Sequence, residues 1–517
     1  DLKPIEEKSM SKKKRKTTKW IKFARVLIAI QAILSIIVTG MVIKTQMLPA
    51  KFLIPMIILF VVALLLVFAL VYVGQNRKHP TKSCYLKRGL GTFIAVLIIA
   101  VCVFATSVLG KLLGTIGYLT GDKETVEEKV GVYVMDDDPA KTINDAADYE
   151  FGISQSYGYE DTKEAIDDIN KKLGSEIATK EYDTALDMVD ALYSGKTKAM
   201  IINESYESII SDTEGYEDFT SKTRIIYEYT KTYEVEKTQK DVKVTKEPFA
   251  VYISGSDTRE AKLAKSRSDV NILAFVNPVS KQVLLLNTPR DYYINISIAP
   301  DSKDKLTHCG LYGLDCSMDT LADLYGIDSI NYYAQINFTG FETLIDEIGG
   351  VTVYSDASFT SSDYPDYKYV KGENELNGSE ALAFVRERYN LGDGDYARGR
   401  HQMAVISAVI DKMTSSTTLL TNYSGIMDSL EGMISTDFES GDISALINMQ
   451  LSDGGGWDVK SYTVVGEGTK RTTYSMPKFK AYVTIPDEES VDKAKGLIKK
   501  VMNGETITDS DVEDRKS

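Results

Sequence analysis

The sequence predicts an α/β protein carried on a membrane anchor: three N-terminal transmembrane helices, then a small α/β accessory domain, then a second α/β domain with a central sheet flanked by helices. Three observations predict it. Long apolar runs crowd the first 110 residues, the charge changes sign after them, and the remainder alternates short β-branched runs with amphipathic stretches. The 517 residues are 43% hydrophobic and 26% charged, ordinary values that exclude a disordered chain, a collagen-like repeat and a small disulfide scaffold.

The anchor comes first. Val26–Ile43, Phe52–Val73 and Gly89–Gly110 carry no charged residue. Each is long enough for a hydrocarbon core that takes about 20 apolar residues to cross. A buried helical core would not need three such runs in so short a stretch, and a cleaved signal peptide would not be followed by two more. The expected membrane region covers residues 26–118, with spans near 26–43, 52–73 and 89–110, behind a basic segment at 1–25.

Lys and Arg set the expected orientation. Lys12, Lys13, Lys14, Arg15 and Lys16 precede the first span, and Arg77, Lys78, Lys82, Lys87 and Arg88 lie between the second and third. Only Lys44 and Lys51 lie between the first and second. The positive-inside rule then makes this a multi-pass cell-membrane protein with a cytoplasmic N-terminus and everything after about residue 112 outside. Beside a membrane span the basic run at 12–16 reads as a topology determinant and a contact for anionic lipid of the bilayer. Residues 1–111 sum to +15 and residues 112–517 to −29, so no nucleic-acid partner is expected.

Cysteine usage fits that topology. Cys84 lies in the basic loop and Cys102 within the third span, whereas Cys309 and Cys316 fall in the outer part, where disulfides persist. A disulfide between Cys309 and Cys316 is expected. The alternative is a metal site using the adjacent His308, which lacks a fourth ligand in the sequence nearby.

The accessory domain is expected over 126–246. Strands at Val130–Val134, Phe151–Ser154 and Ala199–Ile202 alternate with one helix carrying Ala165, Ile166, Ile169 and Leu173 and another carrying Leu186, Val189 and Leu192. The SGKT at Ser194–Thr197 ends like a phosphate-binding loop, but that motif needs Gly where this chain has Asp190, so a turn is expected. The run at 234–246 reads as a linker or a connecting strand.

The second domain is expected over 247–490, followed by a C-terminal helix and acidic tail at 491–517. It holds no H-E-x-x-H and no G-x-S-x-G, which removes the zinc-protease and serine-hydrolase readings. What stands out is Arg and Asp at the ends of apolar strands. Ala250–Ile253, Val270–Val276 and Val283–Leu286 are flanked by Asp257, Arg259, Arg267, Asp269, Arg290 and Asp291. Arg386 and Arg388 are two apart and would share a face if the segment Phe384–Tyr389 is extended. Arg398 and Gln402 are four apart at the start of an apolar helix through Ile410, and so share a helical face.

Several converging guanidinium groups imply a multiply charged anion such as a diphosphate, because the planar fork binds phosphate oxygens bidentately and stays charged. Two aspartates in the same place would repel that anion unless a divalent cation such as Mg²⁺ sat between them. Solvated Arg–Asp pairs on a surface are the competing explanation of the pattern.

GSDTR at 255–259, RSDVNIL at 267–273, TPRD at 288–291, KLTHCGLYG at 305–313, the run from Ile336 to Val353, and the block from Leu376 to Gln402 follow one another in order. In these motifs the chain resembles the LytR-CpsA-Psr (LCP) family of bacterial envelope proteins, and in layout its capsule-type members, with three spans and an accessory domain. Cys309 and Cys316 depart from the family's usual small or apolar residues. The resemblance implies a phosphotransferase that moves a glycopolymer, of capsular polysaccharide or teichoic acid type, from an undecaprenyl-diphosphate carrier to peptidoglycan, with capsule-synthesis proteins as partners. It implies Mg²⁺ held by Asp257 and Asp269, and diphosphate gripped by Arg267, Arg290, Arg386, Arg388, Arg398 and Gln402. Asp257, Asp269, Arg290 and Arg388 are the expected catalytic set. For the general base only Asp395 and Asp291 offer themselves. Met403–Ile410 and Phe338–Ile348 are candidate walls for the lipid. A polyprenyl-phosphate-binding regulator of envelope synthesis and a polyprenyl-diphosphate hydrolase are the alternative functions.

Overall fold

The computed structural model describes residues 18–119, 123–154, 158–236, 242–256, 266–415 and 433–513. It separates into two compact units, residues 1–114 with 447–453, and residues 115–446 with 454–517.

The first unit is built on three helices, α1 (Lys19–Thr45), α2 (Ala50–Val71) and α3 (Lys82–Leu119). All three are long and apolar enough to cross a membrane. Thr18 caps α1 by accepting from the Ile21 backbone N–H. Small residues let the helices approach: Ala24, Val67, Val71 and Ala95 form their shared core, and a Cβ at Gly91 would lie 2.6 Å from Val71 Cγ1. Most large apolar side chains point outward instead, Ile36 and Phe104 among them. That inverted surface is what a lipid environment requires and water does not tolerate. Arg88 donates to the Gln75 carbonyl at 2.8 Å and lies 4.8 Å from the Trp20 ring centroid, a charged and aromatic pair at the end of the bundle.

In the second unit the accessory region forms a five-stranded sheet from β1 (Lys123–Met135), β2 (Glu150–Ser154), β3 (Ala178–Tyr182), β4 (Ala199–Asn203) and β5 (Thr223–Glu236), in the order β3-β2-β4-β1-β5. The helices are α4 (Tyr159–Leu173), α5 (Ala185–Tyr193), α6 (Tyr206–Ser211) and α7 (Phe219–Lys222). Strict alternation assigns the two faces: Ala199 and Ile201 join Phe151 and Ile169 on one side, while Met200 and Ile202 join Leu186 and Leu192 on the other. The run from Glu234 is therefore partly strand, since β5 pairs antiparallel with β1 as far as Glu236.

The second sheet, in the order β16-β11-β6-β7-β8-β17, carries the site. β6 (Phe249–Ser256), β7 (Ser268–Asn277) and β8 (Gln282–Asn287) form an antiparallel meander. After β9 (Tyr293–Ile296), β10 (Ala299–Lys305), α8 (Leu306–Tyr312) and α9 (Leu314–Tyr325), β11 (Tyr332–Asn337) returns parallel to β6. Next come α10 (Phe338–Glu347), the pair β12 (Val351–Ser355) and β15 (Gly372–Leu376) with β13 (Phe359–Thr360) and β14 (Lys368–Tyr369) between them, α11 (Gly378–Arg386), α12 (Asp395–Ser415) and the edge strand β16 (Ile434–Thr436). Finally β17 (Asp458–Thr463) adds parallel to β8, and β18 (Gly466–Thr472) pairs with β19 (Lys480–Pro486).

Both faces of this sheet are covered, which explains its near-continuous apolar strands. Leu273, Phe275, Leu284 and Leu286 pack under Leu321, Tyr325, Leu497 and Ile498. Ile272, Ala274, Val283 and Leu285 pack with Met403 on the opposite side. The helix Glu488–Met502, expected as part of a separate tail, supplies Val491, Ala494, Leu497 and Ile498 to this core. Leu311 and Met476 join the core of the accessory sheet, so the two sheets of this unit share packed side chains. Cys309 and Cys316 are both buried as free thiols, Cys309 Sγ lying 3.7 Å from Thr320 Oγ1, and the expected bridge between them is not shown.

Candidate anion-binding site

The carboxyl ends of β6, β8 and β11 emerge on the same edge of the six-stranded sheet, and β7 begins there. Ligands of open α/β sheets bind in such a crevice. A cavity of about 260 Å³ opens at this edge, and Arg267, Asp269, Arg290, Arg386, Arg388, Arg398 and Gln402 all line it. Seven residues chosen from the sequence, spread over more than 130 positions, thus converge on one space. Asp257 and Arg259 lie outside the described residues.

Each element has a reason to put its side chain there. Arg267 and Asp269 flank the first residue of β7, Ser268, which a buried polar network anchors: Tyr252 Oη donates to Asn271 Oδ1 at 2.7 Å and lies 3.0 Å from Ser268 Oγ. Arg290 follows β8 in a turn held by the Tyr292 N–H to Pro289 carbonyl bond of 3.1 Å. Arg386 ends α11, whose N-terminus is fixed by the capping box of Asn377 and Glu380. Arg398 and Gln402 occupy the first turns of α12 on one face, both buried.

The segment carrying Arg386 and Arg388 is not a strand. The helix runs through Arg386, the backbone turns extended at Glu387, and Arg388 follows. Glu387 makes this possible: it is buried and accepts from the backbone N–H groups of Arg388 at 3.0 Å, Asn390 at 2.9 Å and Ser362 at 2.5 Å. Burial opposes its ionisation, but those N–H groups win and hold its carboxyl below the usual range. Sequence reading passed over Glu387; its place between two arginines was the available signal.

Carboxylates balance the guanidinium groups. Arg290 Nη1 lies 2.8 Å from Asp269 Oδ1, Arg386 Nη1 lies 3.3 Å from Asp363 Oδ2, Arg398 pairs with Asp395, and Arg267 pairs with Asp212 of the accessory region. Burial disfavours the Asp269 anion, yet Arg290, Arg398 and Arg267 together hold its carboxyl well below the usual range. The Arg386 guanidinium sits 4.7 Å from the Phe338 ring centroid and that of Arg388 4.7 Å from the Tyr389 ring centroid. Neither candidate base stands free. Asp395 holds Arg398, and Asp291 lies 3.0 Å from Lys305 Nζ and 3.8 Å from Arg290 Nε, outside the lining of this cavity.

His308 is held at Nδ1 by Asp304 at 2.7 Å and Ser475 at 2.8 Å, and shares no ligand cluster with the two cysteines. Among the described residues no group of three or more His, Cys, Asp or Glu side chains could hold a metal. Three aspartates, Asp212, Asp269 and Asp363, line the cavity, each paired with an arginine; of these Asp269, which the sequence singles out, is an oxygen donor of the kind Mg²⁺ takes in ones and twos.

Comparison with known proteins agrees with this geometry. The LytR_cpsA_psr family model matches residues 216–496. A polyisoprenyl-teichoic acid–peptidoglycan teichoic acid transferase TagU of Enterococcus faecalis is 33% identical over 221 residues, 42% of this chain and 71% of that protein. TagU of Bacillus cereus is 32% identical over 227 residues, 43% of this chain and 72% of that protein. TagT of Bacillus subtilis is 37% identical over 194 residues, 36% of this chain and 58% of that protein. With more than half its length matched and its arginines gathered in one cavity, the chain belongs to the LytR-CpsA-Psr family.

Proposed function

We propose that this protein is a membrane-anchored phosphotransferase that moves a glycopolymer from a polyprenyl-diphosphate carrier to peptidoglycan. The observation that carries the reading is the convergence of Arg267, Arg290, Arg386, Arg388 and Arg398 on one cavity. A diphosphate ester brings oxygens enough to engage several guanidinium forks at once, which a single carboxylate or monoanion does not. The names of the relatives, teichoic acid transferases, support the same class.

In the transfer, an acceptor hydroxyl oxygen attacks the phosphorus that bears the glycan. The P–O bond to the bridging oxygen breaks, a phosphodiester forms, and polyprenyl monophosphate leaves with the bridging oxygen while the hydroxyl proton goes to a base or water. Arg290 and Arg388 neutralise charge growing on the leaving phosphate, and Arg398 and Gln402 fix the diphosphate against α12. Asp269, with Asp257, would hold Mg²⁺, which supplies Lewis-acid polarisation of a phosphoryl oxygen. The partly buried apolar residues of α10 and α12, including Phe338, Phe341, Ala404 and Ala408, are the proposed lipid wall.

Lys and Arg on either side of the spans support a cytoplasmic N-terminus with the catalytic domain outside, and in that compartment the adjacent Cys309 and Cys316 would join as a disulfide. A capsular polysaccharide or teichoic acid is the proposed cargo, handed over by the proteins that synthesise it. The test is reconstitution of the full chain in detergent with Mg²⁺, a polyprenyl-diphosphate oligosaccharide and peptidoglycan. Release of polyprenyl monophosphate with glycan phosphate on the peptidoglycan supports the transferase. Equal release without acceptor makes the protein a hydrolase, and binding with no release makes it a regulator.

A further inference from the structure

Arg267 and Arg290 stand in the wall between two cavities. The second, of about 140 Å³, is built jointly by the end of α6 and the turn after it in the accessory region, the start of α8, and the β18–β19 hairpin. Asp212 reaches across to Arg267, and Glu214 holds Lys470 of the hairpin at 2.5 Å. The accessory region thus fixes both one arginine of the diphosphate cavity and one side of its neighbour.

This second space is shaped for a polar, uncharged ligand. Its cations are largely matched, Lys305 by Asp291 at 3.0 Å and Lys470 by Glu214. Thr307 is 2% exposed, lines the cavity, and its hydroxyl has no hydrogen-bond partner among the described residues. An unsatisfied buried hydroxyl is unfavourable, and a polar ligand removes that cost. Its position is tied to the diphosphate wall, because the Thr307 N–H donates to the Arg290 carbonyl at 2.9 Å. At the rim, Tyr482 is 54% exposed and lies over bare backbone, since a Cβ at Gly468 would meet Tyr482 Oη at 2.5 Å. An aromatic residue, a buried hydroxyl and a lysine on one lining match a sugar, which has apolar C–H faces and a hydroxyl rim.

We propose that the second cavity is a saccharide subsite for sugar linked to, or attacking, the diphosphate held on the other side of Arg267 and Arg290, and that the accessory region exists in part to complete it. This rests on the transferase reading. Two sugars could occupy it, the first residues of the donor glycan or the acceptor glycan, and the experiment separates them.

The full chain in detergent is compared with Tyr482→Ala, Lys480→Ala and the isosteric Thr307→Val, with thermal melts to verify folding. Three constants are measured: affinity for sugar-free polyprenyl diphosphate, affinity for the oligosaccharide-bearing form, and KM for peptidoglycan fragments. The expected result leaves the first unchanged within about twofold, while one of the others worsens by about tenfold or more, a change equivalent to about 1.4 kcal/mol. Loss on the sugar-bearing donor assigns the donor glycan, and a raised acceptor KM assigns the acceptor. Variants with all three constants at wild-type values, or with both donors weakened equally, overturn the subsite while leaving the transferase intact. A wild-type chain that ignores polyprenyl diphosphate overturns the transferase itself.

Discussion

Arg290 and Asp269 meet across 2.8 Å between the turn after β8 and the start of β7, and this ion pair couples the charge state of the cavity to the register of the sheet edge. Both side chains are mostly buried, so the pair is shielded from the salt that weakens surface pairs.

One consequence concerns acid stability. Burial works against the Asp269 anion and the three arginines outweigh it, so its folded carboxyl titrates below the unfolded value of about 3.9. A depressed carboxylate stabilises the fold above the unfolded pKa and loses that contribution as pH falls through the folded one. Asp269→Asn should therefore lower the urea midpoint by a constant amount above about pH 5, and the gap to wild type should close in stronger acid. A gap that stays constant to the acid limit of folding would contradict the pairing.

Truncating the arginines should read out in binding before folding. Arg388→Ala or Arg398→Ala should remove a charge-assisted contact of roughly 1.5–3 kcal/mol, about ten- to a hundredfold in affinity for polyprenyl diphosphate by equilibrium titration. Arg→Lys should recover only part of that, because an ammonium cannot span two oxygens with a rigid fork. Full recovery by lysine would mean the contact is simple charge.

Gly310 tests how tightly α8 is seated against the strand beneath. A Cβ there would lie 2.5 Å from the Ser266 carbonyl oxygen and 2.8 Å from the Ser268 nitrogen, backbone atoms on either side of Arg267. Gly310→Ala should cost about 1–3 kcal/mol by overpacking, measured in urea. Turnover should fall further than the lost folded fraction accounts for, since Arg267 and Asp269 must move with that backbone.

His401 makes a second pH dependence with its own signature. It is buried, stacked on Phe384 with ring centroids at 4.1 Å and on Phe359 at 5.2 Å. Burial pushes its pKa down, against the pull of Asp356. The stability this provides is present above the unfolded value of about 6.5 and is lost as pH falls below it, because the unfolded ring takes up a proton that the buried ring does not. His401→Phe should flatten the melting temperature between about pH 5 and pH 7. An unchanged slope would place the titration elsewhere.

Protein taken from the membrane without reductant and unfolded in the presence of alkylating reagent should leave Cys309 and Cys316 unlabelled until reduced. Labelling of both before reduction would keep them as the thiols of the structure.

The strands were legible because a sheet covered on both faces demands unbroken apolar runs, and β6, β7 and β8 have them. The strand β3 was not, since its ATKEY sequence is largely exposed at the edge of its sheet and carries no apolar signal. The arginines announced themselves as charge beside such runs. Their partners did not: Asp212 is 55 residues from Arg267, and only the packed fold brings the two together. The helical ending at Arg386 also escaped, because the extended turn after it depends on Glu387 collecting N–H groups from Ser362 and Asn390.

The carboxylates threaded among the guanidinium groups make ligand entry an exchange of counter-ions. A single acetate or chloride could release one carboxylate at most and would gain little over the partner it displaced. A diphosphate can trade against Asp269, Asp363 and Asp395 together, and only such a multivalent visitor recovers the cost of parting the pairs. On the proposed function the cavity would therefore sort anions by valence before shape is consulted, and the monophosphate left after transfer, with fewer charges to trade, would be the species the returning carboxylates evict.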